Sequence, residues 1–155
     1  MWRMLVPALL LAGCAQLPPS PADIQAKTFQ TRPDMSVIYV VRTPMDSLEA
    51  SGLTLDGRAL ITTHRGTYYR WEVAPGTHRV AGFGFGVESM TLTTAPGKIY
   101  FLEHTVLGDR DDGGVTNVRL REIGDQAGRN LVMHSQLLME AGVRRTLSRL
   151  PFPVI

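Results

Sequence analysis

Few side chains in this 155-residue sequence are placed to do chemistry, and the most conspicuous is its one cysteine, Cys14. A thiol is a strong nucleophile once deprotonated, and Cys14 directly follows Leu11, Ala12 and Gly13 at the end of an apolar run. Glu103 and His104 are neighbours in a stretch that reads as a strand, so alternation aims them at opposite faces and they cannot act as a direct pair. His64, His78 and His134 fall in a loop, at a turn edge and in a helical stretch, without the His-x-x-x-His spacing of a metal site. Solvated or satisfied imidazoles are the expectation for all of them, and no metal is assigned. The sharpest polar cluster, Asp109-Arg110-Asp111-Asp112-Gly113-Gly114, begins like a calcium loop. Arg110 interrupts the acids and no glutamate follows at the twelfth position, so a solvated turn is expected. No serine sits in a nucleophile elbow and no phosphate-binding loop is present. No catalytic residue is therefore assigned.

The elements around Cys14 give it a role. Met1-Trp2-Arg3 supplies a positive start, Met4 to Ala12 is almost wholly apolar, and small residues precede the cysteine. That is the layout of a secretory signal peptide over residues 1–13, too short to span a bilayer as a mature helix. The ending Leu11-Ala12-Gly13-Cys14 resembles the lipobox of bacterial lipoproteins. The resemblance implies that Cys14 takes up a diacylglyceryl group, that the bond before it is cut, and that Cys14 becomes the acylated first residue. Ala15 stands where Asp would signal retention in the inner membrane, so the implied address is the outer membrane, facing the periplasm.

Composition bounds the remainder. The length suits one domain after a signal peptide, and with no cysteine left over the core must form without disulfides. The formal charge is +2 and the basic residues are scattered, apart from Arg144, Arg145 and Arg149 near the C-terminus. No recognition motif accompanies them, so nucleic acid is not an expected partner. Residues 14–35, with Pro18, Pro19, Pro21 and Pro33, read as a lipidated cysteine and flexible tether. The nineteen residues from Ala15 to Pro33, extended at about 3.3 Å each, would reach roughly 60 Å. The other course for this segment is to drape over the domain through Ile24 and Phe29.

Strands are expected from Ser36 to Ile123. Val37 to Val41 is apolar on both faces, as in a strand buried twice. Asp56-Gly57 between alternating apolar residues predicts a hairpin placing Leu53 opposite Leu60. Thr67 to Val73 and His78 to Gly86 flank Ala74-Pro75-Gly76-Thr77, which predicts a second hairpin with Trp71 against Val80, Glu72 against Arg79 and Tyr68 against Phe83. In that register Tyr68, Phe83 and Phe85 face outward unless a second sheet or a helix covers them, and form a candidate interaction surface. Gly82, Gly84 and Gly86 line the other side of the same strand. They are either a candidate ligand groove or, as favoured, glycines covered internally by the Tyr69 ring. Further strands are expected at 87–94, 98–106 and 115–123. A helix capped by Asp125 is expected to run to about Ala141, with Ala127, Leu131, Ser135 and Leu138 on its buried stripe and Val132 and Met139 widening it.

Short strands with turn signals at close spacing predict a mainly β protein, an antiparallel β-sandwich with one C-terminal helix and tail packed on it. The motifs Leu55-Asp56-Gly57-Arg58, Gly66-Thr67-Tyr68-Tyr69, Val73-Ala74-Pro75-Gly76-Thr77-His78 and Pro96-Gly97-Lys98-Ile99-Tyr100 occur in that order. Over residues 36–106 the chain resembles PEGA-type and carboxypeptidase-regulatory-like sandwich domains, in particular an uncharacterised family of small bacterial lipoproteins. The resemblance implies an Ig-like or transthyretin-like fold, no known cofactor, and a non-catalytic module held in the envelope. The leading expectation is an adaptor docking on an envelope protein. A glycan- or peptide-binding module at the glycine strand is the alternative, and an enzyme relying on His104 or the 109–112 acids is the remotest.

Overall fold

A computed structural model of the chain describes residues 18–82, 88–108 and 117–138. Nine strands and two helices occur among them. In chain order they are α1 (Pro21–Ala26), β1 (Ser36–Val41), β2 (Ser51–Leu55), β3 (Ala59–Thr63), β4 (Thr67–Val73), β5 (Gly76–Gly82), β6 (Ser89–Thr94), β7 (Ile99–Leu107), β8 (Asn117–Ile123), α2 (Asp125–Met133) and β9 (Gln136–Leu137). One sheet has the order β8-β7-β1-β4-β9 and the other β3-β2-β5-β6. The fold is a mainly β two-sheet sandwich with a C-terminal helix. It is not wholly antiparallel, because β1 pairs with β7, and β4 with β9, in parallel.

β1 organises the layers. All six of its residues are buried, because its two faces enter two different cores. Ile38 and Val40 join Tyr69, Trp71, Leu102, Val118 and Leu120 of their own sheet against Leu53, Leu55, Ile61, Val80 and Leu92 of the other. Val37, Tyr39 and Val41 face the opposite way, with Tyr68 and Phe101, and meet Ala26 of α1 and Val132 of α2. The continuous apolar run predicted this double burial.

Two expected registers are corrected. The Asp56-Gly57 turn does carry two positive φ angles, 52° and 69°. One more residue enters the loop, however, so Leu53 pairs with Ile61 rather than Leu60. A one-residue change reverses every side chain on a strand, and Ile61 is accordingly buried while Leu60 is exposed. The Ala74-Pro75 connection is a crossover between sheets: β4 pairs with β1 and β9, and β5 with β2 and β6. The expected pairs of Trp71 with Val80 and Glu72 with Arg79 therefore do not form as cross-strand neighbours.

Helix α2 is shorter than expected. Its N-cap is Gly124, Asp125 lies inside the first turn, and the C-cap is His134. Ser135 and Leu138 follow the helix, and Gln136–Leu137 turns into the edge of the five-stranded sheet. The buried helical residues are Gly128 and Val132; Val132 belongs to the predicted stripe, whereas Ala127, at its start, is exposed. Gly128 is a contact residue: a Cβ built there would lie 2.1 Å from Cγ of buried Phe101. On an unobstructed helix, alanine in place of glycine would stabilise by about 1 kcal/mol. Here Gly128→Ala is expected to destabilise by about 1–3 kcal/mol through overpacking, read by urea denaturation. A stabilised variant would mean that α2 does not approach β7 this closely.

Candidate functional site

The stretch expected to be a flexible tether is, from Ser20 onward, built into the domain. Ser20 caps α1 by accepting from the Asp23 N–H at 3.1 Å, with Pro21 in the first turn. Asp23 is buried and holds three separate parts of the chain. Its carboxylate accepts from the Tyr68 hydroxyl at 2.9 Å and the Leu137 N–H at 3.0 Å, and pairs with Lys27 at 2.9 Å. Burial alone would raise its pKa, but the bonds from Lys27, Tyr68 and Leu137 outweigh that and hold the carboxyl below its usual range. The Tyr68 hydroxyl is pushed far up, by burial first and then by the Asp23 carboxylate. Lys27 also donates to the Ser135 carbonyl at 2.8 Å. Phe29 then lies against the rings of Tyr39 and Phe101, with centroids 5.5 and 6.0 Å away, and the Arg129 guanidinium covers it at 4.7 Å.

A second polar cluster sits where β1 ends. Arg42 is fully buried. Its Nε pairs with Asp46 Oδ2 at 2.6 Å, Nη2 donates to the Ser47 carbonyl at 2.8 Å, and Nη1 to the Thr63 carbonyl at 3.2 Å. Asp46 also accepts from the N–H groups of Ser47 and Val106 at 2.8 and 3.1 Å. The connection after β1 is thereby fastened to β3 and β7. Removing one partner of such a buried pair typically costs about 3–5 kcal/mol.

His104 completes this cluster. Its Nδ1 lies 3.0 Å from Thr63 Oγ1, and that hydroxyl is itself donated to the Ser51 carbonyl. The imidazole must then donate from Nδ1, which leaves Nε2 unprotonated, buried and without a partner. Burial first, and then the Arg42 charge, lower its pKa to about 4. His104 is closed off from solvent, so the arrangement holds a loop in place and offers no group to a substrate.

The other residues singled out by sequence are distributed as follows. Tyr68 is fully buried under α1, so it is core and cannot belong to an interaction surface. The helical layer covers the face expected to be open. Gly82 is not part of a ligand groove: a Cβ there would lie 2.7 Å from Cγ1 of Val118, and that side chain, rather than the Tyr69 ring, is nearest. Cys14, Phe83, Phe85, Gly84, Gly86 and the Asp109–Asp112 cluster lie outside the described residues. Glu103 and His104 do face opposite ways, Glu103 pairing with Arg121. His78 is bonded to Asp56 and the Ala74 carbonyl, each at 2.8 Å, and His134 to the Asn130 carbonyl at 2.7 Å. Among the described residues, no three His, Cys, Asp or Glu side chains gather as a metal site.

These features gather at one end of the sandwich. Gly66 N–H donates to the Arg42 carbonyl at 3.0 Å, and Gln136 N–H to the Gly66 carbonyl at 2.9 Å. Pro18, Pro19, Ser20, Met133, His134 and Gln136 line an adjoining groove of about 670 Å³. The molecule is thus a two-sheet sandwich whose N-terminal segment is clasped to the sheet and emerges beside the Arg42 loop. No family model matches the chain, and no curated protein matches it.

The depressed pKa of His104 sets a pH dependence. A histidine lowered from 6.5 to about 4 contributes stability that is complete above pH 6.5 and declines as pH falls toward 4. The loss should approach about 3 kcal/mol across that window. Denaturation of the wild type against His104→Gln at several pH values checks it: the variant should lack this slope. Identical slopes would place the proton uptake elsewhere.

Proposed function

We propose that this chain is a lipid-anchored, non-catalytic accessory module of a bacterial envelope, attached through Cys14 and acting as an adaptor for a neighbouring envelope protein. The observation that carries the reading is the position of the lipobox-like ending relative to the domain. Five residues, 15–19, separate Cys14 from the Ser20 cap of α1. A module with so short a lead stays at the surface to which its first residue is fixed. The resemblance to sandwich domains of small bacterial lipoproteins points the same way and implies no cofactor, while Ala15 after Cys14 implies an outer-membrane, periplasm-facing site.

The four-stranded sheet offers a partner two outer strands, β3 and β6. Edge strands carry unpaired backbone groups to which another chain can add. At the edge strand β8 of the other sheet, Glu88 accepts the Leu120 N–H at 2.9 Å, which blocks strand addition at that point. Strand addition at the four-stranded sheet is therefore the favoured mode of docking.

Mass spectrometry of the mature N-terminal peptide tests the anchor. The expected result is a chain beginning at an acylated Cys14, with a Cys14→Ser form leaving the membrane fraction. An unacylated cysteine, or cleavage at another bond, would overturn the reading. Mild crosslinking of native-level protein in envelopes tests the adaptor role: a stoichiometric protein partner supports it, and background capture alone contradicts it.

A further inference from the structure

The two ends of the sandwich differ in their chemistry. Among the described residues, six large hydrophobic side chains are exposed, and four lie at the end where the N-terminal segment emerges. Met45 is 93% exposed and Leu48 76%, both on the loop stapled by Arg42 and Asp46, and Leu107 at 43% ends β7 just after the Val106 amide that Asp46 holds. Met133 at 54% lines the groove with Pro18 and Pro19. The opposite end carries charge instead. Arg32 and Asp34 pair there in the open, with Glu72 at 3.7 Å from Arg32 and Pro33 against the Gly97 turn before Lys98, and Asp56 and Arg58 lie in the β2–β3 turn of the other sheet. Isolated surface hydrophobics are ordinary, whereas several at one end mark a contact surface.

Chain length selects the occupant of that surface. Four residue steps separate Cys14 from Pro18, and at no more than 3.6 Å each they span at most about 14 Å. We propose that Met45, Leu48, Leu107 and Met133 form a membrane-docking face that enters the lipid surface to which Cys14 is anchored. The inference rests on the anchored reading above and adds an orientation to it: the sandwich stands with this end in the headgroup region and its charged end away from the membrane. Arg42 and Asp46 are buried beneath the loop and hold its backbone, so Met45 and Leu48 are presented outward. Arg65, exposed in the turn beside Pro44, adds a positive charge suited to anionic headgroups.

The test uses the full lipidated protein reconstituted in phosphatidylethanolamine vesicles with a minor share of phosphatidylglycerol. With the Cys14 sulfur acylated, a cysteine introduced by Met45→Cys is the one free thiol and takes an environment-sensitive fluorophore. Arg58→Cys, at the charged end, is the control. Both positions are exposed, and thermal melts confirm that each variant folds. The expected result is a blue-shifted emission at position 45, quenched several-fold more by nitroxide-bearing lipids than at position 58, with Leu48→Cys repeating it. Equal quenching at both ends, with Cys14 shown by mass spectrometry to be acylated, overturns the docking face and leaves the anchor standing. An unacylated Cys14 in the same sample overturns the anchored reading, and the docking face with it.

Discussion

The carboxylate of Asp23 is the constraint on which the arrangement of the chain's ends depends. It lies in a six-residue helix that buries little of its own, and an isolated helix of that length does not persist in water. The helix is held instead by one buried anion that accepts hydrogen bonds from Tyr68 in the central sheet and Leu137 at the sheet edge, and pairs with Lys27 one turn on. Those bonds tie together segments 114 residues apart. A buried carboxylate left unpaired would be costly, so the N-terminal segment, β4 and β9 depend on one another. The same bonds bury Tyr68 and close the helical side of the five-stranded sheet.

A second buried ion pair has a comparable role in the loop after β1. Arg42 follows a strand that carries no other charge, and its own is balanced by Asp46 four residues later. With three guanidinium bonds and the Val106 amide engaged, the loop backbone is held from inside while its apolar side chains stay outside. The two clusters make the end where the N-terminal segment emerges firm. That firmness gives meaning to the exposure of Met45 and Leu48, since a slack loop would fold them inward.

Much of the sandwich was legible in the sequence because strands leave local signals. The run Val37–Val41 announced a doubly buried strand, and the turns at Asp56-Gly57 and Pro96-Gly97 marked real boundaries. Pairing was less legible. Whether Ala74-Pro75-Gly76 closes a hairpin or carries the chain to the other sheet depends on where β1 docks, and β1 is more than thirty residues away in the sequence. Helix α2 ended early because the β4 edge captures Gln136–Leu137, a tertiary bond that periodicity does not record. The N-terminal helix did have a signature. Ser20, Pro21 and Asp23 form a cap, first-turn and third-position pattern, overshadowed by the prolines around it. Arg42 and Asp46 were visible only as a charged pair four apart next to a buried strand. His104 was noticed, but its surroundings depend on Thr63 of another strand and on Arg42 just after β1.

Amide hydrogen exchange at Leu137 tests most directly whether the N-terminal segment is fastened to the sheet. Its N–H is predicted to exchange slowly, on the scale of the β1 amides, because it is bonded to the buried Asp23 carboxylate. In Asp23→Asn that protection should fall by orders of magnitude while Val40 stays protected. Exchange of the wild-type Leu137 amide at the rate of an open loop would contradict the account, because the lead from Cys14 would then be a long, free tether.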